Sequence, residues 1–202
     1  MQLEKREPSP TPIQLDFVTA PEIAAAYADL VQEVYRETVG LDLGALGLAR
    51  DLARIGPDEA LVVARRDGQL LGGAKLWLCD SGVDGLPLCH TGVPFRSLLP
   101  PSLEGWRLAE AGRLAVAPSA RGQGVLKALI RAILIESRAR GAGHFLCQTP
   151  PANVEAYLRT AASLGLAPQR HDGLEAQTPA YRHLGLVLLS VDLRPLWGPR
   201  PN

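Results

Sequence analysis

The fold is decided by the stretch Leu114-Ala115-Val116-Ala117-Pro118-Ser119-Ala120-Arg121-Gly122-Gln123-Gly124-Val125-Leu126, near the middle of the chain. The residues from Ala109 to Val116 predict a strand that ends ahead of Pro118. After the turn, apolar residues at helical spacing predict one buried face of a helix that continues to about Arg140. The turn's glycines let the backbone approach an anion, and the first amides of a helix are unpaired and lie at its positive end. The stretch therefore predicts a strand, turn and helix that can hold a phosphate group.

Two familiar phosphate-binding motifs do not fit this turn. A P-loop needs Gly-Lys-Ser/Thr, whereas here Gly124 is followed by Val125 and Leu126. A dinucleotide-binding turn needs a third glycine where Lys127 stands, and a parallel sheet that starts near the N-terminus. The sequence therefore excludes both the P-loop and the Rossmann reading of this turn.

The elements on either side of this unit predict an α/β domain over residues 13–194. The N-terminal half contains a strand (Ile13–Val18), a helix capped by Thr19 and ending at Gly40, a shorter helix within Leu41–Ile55, and a hairpin of Ala60–Ala64 and Leu70–Cys79 around Asp67-Gly68. The C-terminal part contains a strand (Phe145–Gln148), a helix (Asn153–Leu164) with Asn153 as its cap, and a strand (Leu184–Leu193).

Composition excludes several classes of protein. The chain has 21 basic and 21 acidic residues and no net charge, which argues against binding nucleic acid or an anionic membrane through bulk charge. Hydrophobic residues make up 47%, enough for a core, and three cysteines are too few for a disulfide framework. The low cysteine count favours the reducing cytoplasm as the expected location. No apolar run is long enough for a membrane span. We expect a flexible leader at 1–12 and a flexible tail at 195–202.

The central stretch resembles the GNAT superfamily of N-acetyltransferases. Its pattern, Arg/Gln-x-x-Gly-x-Gly/Ala at the start of the helix after the fourth strand, is matched at Arg121 and Gly124, while Leu126 departs from it. The order of elements also agrees, as does Asn153-x-x-Ala156 leading to Leu164-Gly165-Leu166. The resemblance implies a mixed, twisted sheet of about six to seven strands with helices on both faces.

The resemblance also implies a co-substrate, acetyl-CoA or another acyl-CoA, and no metal. Backbone amides from about Gln123 to Leu126 would hold the pyrophosphate. The backbone of Leu114–Val116 would pair with the pantetheine arm, because the fourth and fifth strands splay apart in this fold. The cofactor-binding residues that follow are Leu114, Ala115, Val116, Arg121, Gly122, Gln123, Gly124, Val125, Leu126 and Asn153.

Two residues are candidates for the chemistry of acyl transfer to an amine. Glu110 is the candidate base that removes the proton from the ammonium group. In a regular strand it would share a face with Gly112, Leu114 and Val116, with Arg113 on the other face. Many family members have a tyrosine acid where Ala161 stands, and Tyr157, one turn earlier, is the candidate substitute.

The long insertion from Asp80 to Leu108 leaves the acyl donor open. It contains four prolines and precedes the fourth strand, and Glu110-x-x-Arg113 resembles acyl-homoserine-lactone synthases and long-chain N-acyl amino acid synthases. That resemblance implies long-chain acyl-CoA or acyl carrier protein as donor, with Leu86-Pro87, Phe95 and Leu98-Leu99 lining an acyl channel. The alternatives are that the insertion only covers the sheet, and that the domain binds acyl-CoA without catalysis. The acceptor is expected to be a small-molecule amine, and the resemblance leaves a homodimer open.

Overall fold

The structure is a computed structural model. It describes residues 11–18, 20–45, 49–80, 85–99, 106–174 and 176–196. The central unit is present as predicted: a strand, a glycine turn and a helix follow one another from Arg107 to Ala139. The predicted cap Thr19 lies outside the described residues, and so do most of the predicted leader (1–12) and tail (195–202).

The described residues form one sheet of seven strands. They are β1 (Gln14–Phe17), β2 (Glu59–Arg66), β3 (Gln69–Cys79), β4 (Arg107–Val116), β5 (Ala142–Thr149), β6 (Pro168–His171) and β7 (Val187–Asp192). Their spatial order is β1-β2-β3-β4-β5-β7-β6. Within this sheet, β4 and β5 are parallel and every other neighbouring pair is antiparallel. The predicted mixed sheet is confirmed.

Helices cover both faces of this sheet. The described helices are α1 (Pro21–Val39), α2 (Ala49–Ala53), α3 (Val125–Ala139), α4 (Pro151–Ser163) and α5 (Pro179–Arg182). The apolar sides of α3 and α4 pack on one face, against residues such as Val62, Leu76 and Phe145. Helices α1 and α2 pack on the other face, against Leu61 and Val63. Alternate residues of β2 thus enter opposite cores, as the two-residue period of a strand requires.

Several predicted boundaries are wrong. Asn153 does not cap α4, because the helix begins at Pro151 and Asn153 already lies in its first turn. Among the described residues of the predicted second helix, only Ala49–Ala53 is helical. The Oδ1 atom of Asp42 instead accepts a hydrogen bond from the amide of Ala45, 3.0 Å away, in a turn. Strand β6 was not predicted, since four residues carry too little periodicity to identify a strand.

The described part of the insertion packs against the end of the sheet. It forms short 3-10 segments at Pro87–Thr91 and Phe95–Leu98. The side chains of Leu86, Leu88 and Phe95 are buried against the end of the sheet, in one apolar cluster with Leu146. The insertion thereby brings backbone groups to the edge of the cavity described below.

Strand β4 contains a bulge at Arg113. Lys75 of β3 pairs with Gly112 and Gly73 pairs with Ala115, so β4 has one more residue than β3 in this interval. Arg113 has φ +53°, a left-handed conformation that is uncommon for a residue with a side chain. The hydroxyl of Tyr27, which is fully buried, donates a hydrogen bond of 2.6 Å to the carbonyl oxygen of Arg113.

The bulge overturns the predicted face of β4. An extra residue reverses the alternation beyond it. Leu114 and Val116 therefore pack with the α3 core, whereas Ala115 packs with the α1 core. Glu110 does not share a face with Leu114 and Val116, although the sequence predicts that it does.

Candidate active site

The parallel strands at the centre of the sheet separate and leave a gap. Strands β4 and β5 pair only as far as Ala111 and Cys147, after which each strand continues without the other. A cavity of about 720 Å³ occupies this region, with walls from both sides of the gap. Tyr35 of α1 lies on one wall, while Val125 of α3 and Tyr157 of α4 lie on the other. A molecule that enters from the α3 side can therefore meet one that enters from the α1 side.

Nearly all of the site residues that were predicted from the sequence line this cavity. The predicted site residues that line it are Glu110, Leu114, Ala115, Val116, Arg121, Gly122, Gly124, Val125, Leu126, Asn153 and Tyr157. Gln123 is the exception. Its side chain accepts a hydrogen bond from Nη1 of Arg66, 2.6 Å away, and donates one to the carbonyl oxygen of Ser119, 2.7 Å away.

The glycine turn leaves room for an anion at the start of α3. Gly122 and Gly124 have φ +76° and +83°, and a Cβ atom on either would meet nothing within 4 Å. The first amides of a helix have no acceptor within the helix, and they lie at its positive end. The turn thus presents an open backbone surface suited to a phosphate or pyrophosphate group.

Glu110 is a carboxyl group buried at the gap, with only 6% of its surface exposed. Its Oε2 atom accepts a hydrogen bond of 2.7 Å from the amide of Leu88, in the insertion. Burial raises the pKa of Glu110 to about 8, against the opposing effects of that hydrogen bond and of the Arg113 charge. A carboxyl group with this pKa can accept and release a proton near neutral pH.

Tyr157 approaches the gap from the opposite face. Its side chain is hydrogen-bonded to that of Cys147, which pairs in register with Ala111 at the point where the strands separate. Burial raises the pKa of Tyr157 well above its ordinary value, and the nearby Cys147 raises it further. Burial also raises the pKa of the Cys147 thiol. Tyr157 therefore keeps its proton at neutral pH.

The structure brings three further polar side chains to the α1 side of the cavity. Tyr35 and Tyr181 line it together with Arg113, whose side chain is hydrogen-bonded to Tyr181. No local sequence signal marks either tyrosine as a site residue. Tyr35 falls on the apolar side of α1, and Tyr181 lies in a four-residue helix. Their proximity depends on the way α1 and α5 pack.

The residues that were predicted to line an acyl channel, all within the described part of the insertion, contribute little to the cavity. Of the five residues proposed for it, only Pro87 lines the cavity. Leu86 and Phe95 are buried against the sheet, and Leu98 and Leu99 pack on the same cluster. The described part of the insertion therefore covers the sheet, as the alternative reading expected.

Within the described ranges, no group of three or more His, Cys, Asp or Glu side chains is arranged to hold a metal ion. No helix in the part of the chain that the structure describes is both long and apolar enough to cross a membrane.

Comparison with known families gives one match. The model of the family described as "N-acyl amino acid synthase FeeM" matches residues 26–182, which is well over half of the chain. The match includes α1, the insertion, the whole gap between β4 and β5, and α5. No curated protein sequence is significantly similar to this chain.

Solved structures share the fold at low sequence identity. FeeM, an N-acyl amino acid synthase from uncultured soil microbes, is 17% identical, with a TM-score of 0.61 over 93% of each chain. The GNAT domain of S. lividans PAT is 18% identical, with a TM-score of 0.56 over 89% of this chain and 90% of that one. Arabidopsis thaliana NAA60, solved in complex with acetyl-CoA, is 14% identical, with a TM-score of 0.56 over 89% and 97%.

Proposed function

The chain belongs to the N-acyl amino acid synthase FeeM family, a family of acyltransferases, and on that premise we propose that it transfers an acyl group from acyl-CoA to the amine of a small molecule. The family's description favours an amino acid as that molecule. The observation that carries the proposal is the gap between β4 and β5, which joins an anion-binding turn to a buried carboxyl group.

The donor thioester is proposed to lie on the α3 side of the gap. Amides at the start of α3 and in the Gly122–Gly124 turn would bind its pyrophosphate. The edge of β4 beyond Ala111 is free of β5, so its backbone can pair with the pantetheine amides. Leu114 and Val116 pack on this side of the sheet and would contact the same arm.

Glu110 is proposed as the base. The amine acceptor is a cation at neutral pH, and only its neutral form attacks a carbonyl carbon. Ionised Glu110 takes the proton from the ammonium, directly or through one water. The carboxylate form increases as the pH rises through about 8, so activity should rise over the same range.

The transfer is proposed to proceed in one displacement, without an acyl-enzyme. The amine nitrogen attacks the thioester carbonyl, forming the C–N bond, and an amide of β4 near Val116 stabilises the oxyanion. As the C–S bond breaks, the nitrogen loses its second proton and the coenzyme A thiolate takes a proton from the hydroxyl of Tyr157. The proton from the nitrogen restores that hydroxyl through water, and Glu110 releases the first proton to solvent, so that one proton is lost in each turnover. Glu110 and Tyr157 lie at the same cavity but come from opposite faces, so one can serve the acceptor and the other the donor.

Ligand-induced stabilisation tests the donor site. Coenzyme A, acetyl-CoA and dodecanoyl-CoA are added to the wild type and to Gly124→Ala, and thermal unfolding is measured. At 100 times Kd, binding to the native state adds about 2.7 kcal/mol. Because a Cβ on Gly124 would stand in the open space at the turn, we expect this stabilisation to be lost in the variant.

Gly68→Ala is the matched control, because Gly68 has a similar φ of +80° and open surroundings but lies in the β2–β3 hairpin. It should lose some stability and keep the response to ligand. A larger stabilisation by acetyl-CoA or by dodecanoyl-CoA would identify the length of the acyl chain that the site prefers. No response of the wild type to any of the three, together with transfer from acyl carrier protein, would overturn coenzyme A as donor.

A further inference from the structure

Arg113 is an arginine on the wall of the cavity. Several arginines of the described surface form ion pairs, as Arg65 does with Asp16 and Arg107 does with Asp58. Arg113 makes no such pair with any described residue, and its side-chain hydrogen bond is to Tyr181. Guanidinium has five donors in a planar fork, so most of its hydrogen-bonding capacity remains for a ligand.

The Arg113 side chain borders two cavities. Arg113 lies on the wall of the 720 Å³ cavity and also on that of a neighbouring cavity of about 420 Å³, which Trp77 and Leu52 line. Tyr181 is common to both cavities, and Tyr35 adds a second phenol beside Arg113. A buried cation with tyrosine hydroxyls beside it and open space in front of it is suited to an anionic ligand.

The neighbouring carboxyl group does not neutralise this cation. Glu110 lies close enough for the Arg113 charge to lower its pKa, yet burial keeps that pKa at about 8. At neutral pH Glu110 is therefore mostly uncharged. Asp51 and Glu59 also line the smaller cavity, but Glu59 is paired with Lys75, and neither forms an ion pair with Arg113.

A hydrogen bond holds the backbone of Arg113 in its unusual conformation. The left-handed conformation at φ +53° is costly for arginine and is maintained by the Tyr27 hydrogen bond to its carbonyl oxygen. The bulge places the side chain on the same side of the sheet as Glu110, whereas regular alternation would place it on the opposite side.

We propose that Arg113, with the hydroxyls of Tyr181 and Tyr35, binds the carboxylate of the acceptor amino acid and so selects amino acids over other amines. This inference rests on the proposed function. It adds the residues that recognise the acceptor, and it predicts that an amine without a carboxylate is a poor substrate.

The test compares an amino acid with its own carboxamide. The best acceptor among the common amino acids is identified first, and its kcat/KM is measured beside that of its amide in the wild type, Arg113→Met and Arg113→Lys. We expect the wild type to prefer the acid by about 100-fold or more, since an unpaired buried charge is left when the carboxylate is missing. Arg113→Met should lose about 100-fold with the acid, mainly in KM, and less than about threefold with the amide. Arg113→Lys should keep part of the preference, because it retains the charge but not the fork.

The ratio of kcat/KM for the amino acid to kcat/KM for its amide is used because both acceptors depend on the same base. Any effect of Arg113 on the pKa of Glu110 therefore cancels in this ratio. Arg159→Met, at an exposed position on α4, is the control and should leave the ratio unchanged. Coenzyme A binding in each variant shows that it has folded. Equal use of acid and amide by the wild type, or an equal loss of both in Arg113→Met, would overturn the carboxylate site and leave acyl transfer intact. Failure of the wild type to acylate any amine would overturn the proposed function itself.

Discussion

At the scale of single residues, the burial of Glu110 links function to stability. The folded protein holds the proton of this carboxyl group up to a pH of about 8, whereas the unfolded chain releases it near 4.5. Between these values the unfolded state binds fewer protons, so the free energy of unfolding falls as the pH rises. The group contributes most to stability below pH 4.5 and loses that contribution progressively toward pH 8. The burial that lets Glu110 act as a base near neutral pH thus lowers the free energy of unfolding at that pH.

Glu110→Gln should therefore become more stable than the wild type as the pH rises. Glutamine does not titrate and still offers an oxygen to the amide of Leu88. The difference in free energy of unfolding should grow by about 1.4 kcal/mol for each pH unit between pH 5 and pH 8. Urea unfolding at four pH values measures it, with Glu155→Gln on the exposed side of α4 as the control. A difference that stays constant with pH would show that Glu110 is not buried as described.

At the scale of elements, the two glycines of β3 allow the sheet to adopt its irregular centre. A Cβ on Gly72 would lie 2.7 Å from the carbonyl oxygen of Ala115, and one on Gly73 would lie 2.6 Å from the ring of Tyr27. Both distances are far below ordinary contact. The close approach brings α1 against the sheet, which puts the Tyr27 hydroxyl within reach of the bulge at Arg113.

Gly73→Ala should destabilise the protein by about 1–3 kcal/mol, because the added methyl must displace a fully buried ring. It should also weaken acyl transfer, since moving Tyr27 releases the carbonyl of Arg113. Denaturant unfolding and kcat/KM measure the two effects. Gly56→Ala, where the added Cβ makes only ordinary contacts of 3.5 Å or more and the backbone is not left-handed, separates this clash from simple loss of a glycine. Wild-type stability in Gly73→Ala would contradict the account of the bulge.

The elements also show what the sequence can and cannot predict. The turn from Arg121 to Leu126 was predictable because strand, glycines and helix are local signals. The bulge was not, because it depends on a mismatch of one residue between β4 and β3. The same limit applies to β6, which is four residues long and is defined by its pairing with β7. Tyr35 and Tyr181 reach the cavity through tertiary packing, for which a single sequence carries no periodic signal.

At the scale of the whole molecule, the gap in the sheet organises the proposed chemistry. The turn before α3 and the side chain of Tyr157 lie on one side, while Glu110, Arg113 and the insertion lie on the other. Donor and acceptor would enter from opposite faces and meet where β4 and β5 part. On this proposal, changes in α1, α5 or the insertion would alter the choice of acceptor and leave the proposed donor site at the turn unchanged.

The most direct test of this account is to detect the product. Wild type and Glu110→Gln are incubated with acetyl-CoA or dodecanoyl-CoA and a mixture of amino acids, and N-acyl products and free coenzyme A are quantified by mass spectrometry. We expect the wild type to form one N-acyl amino acid for each coenzyme A released, at a rate that rises with pH through about 8. Glu110→Gln should be slower by about 100-fold or more, without that rise. No N-acyl product with either donor, or equal rates in the two proteins, would contradict the account.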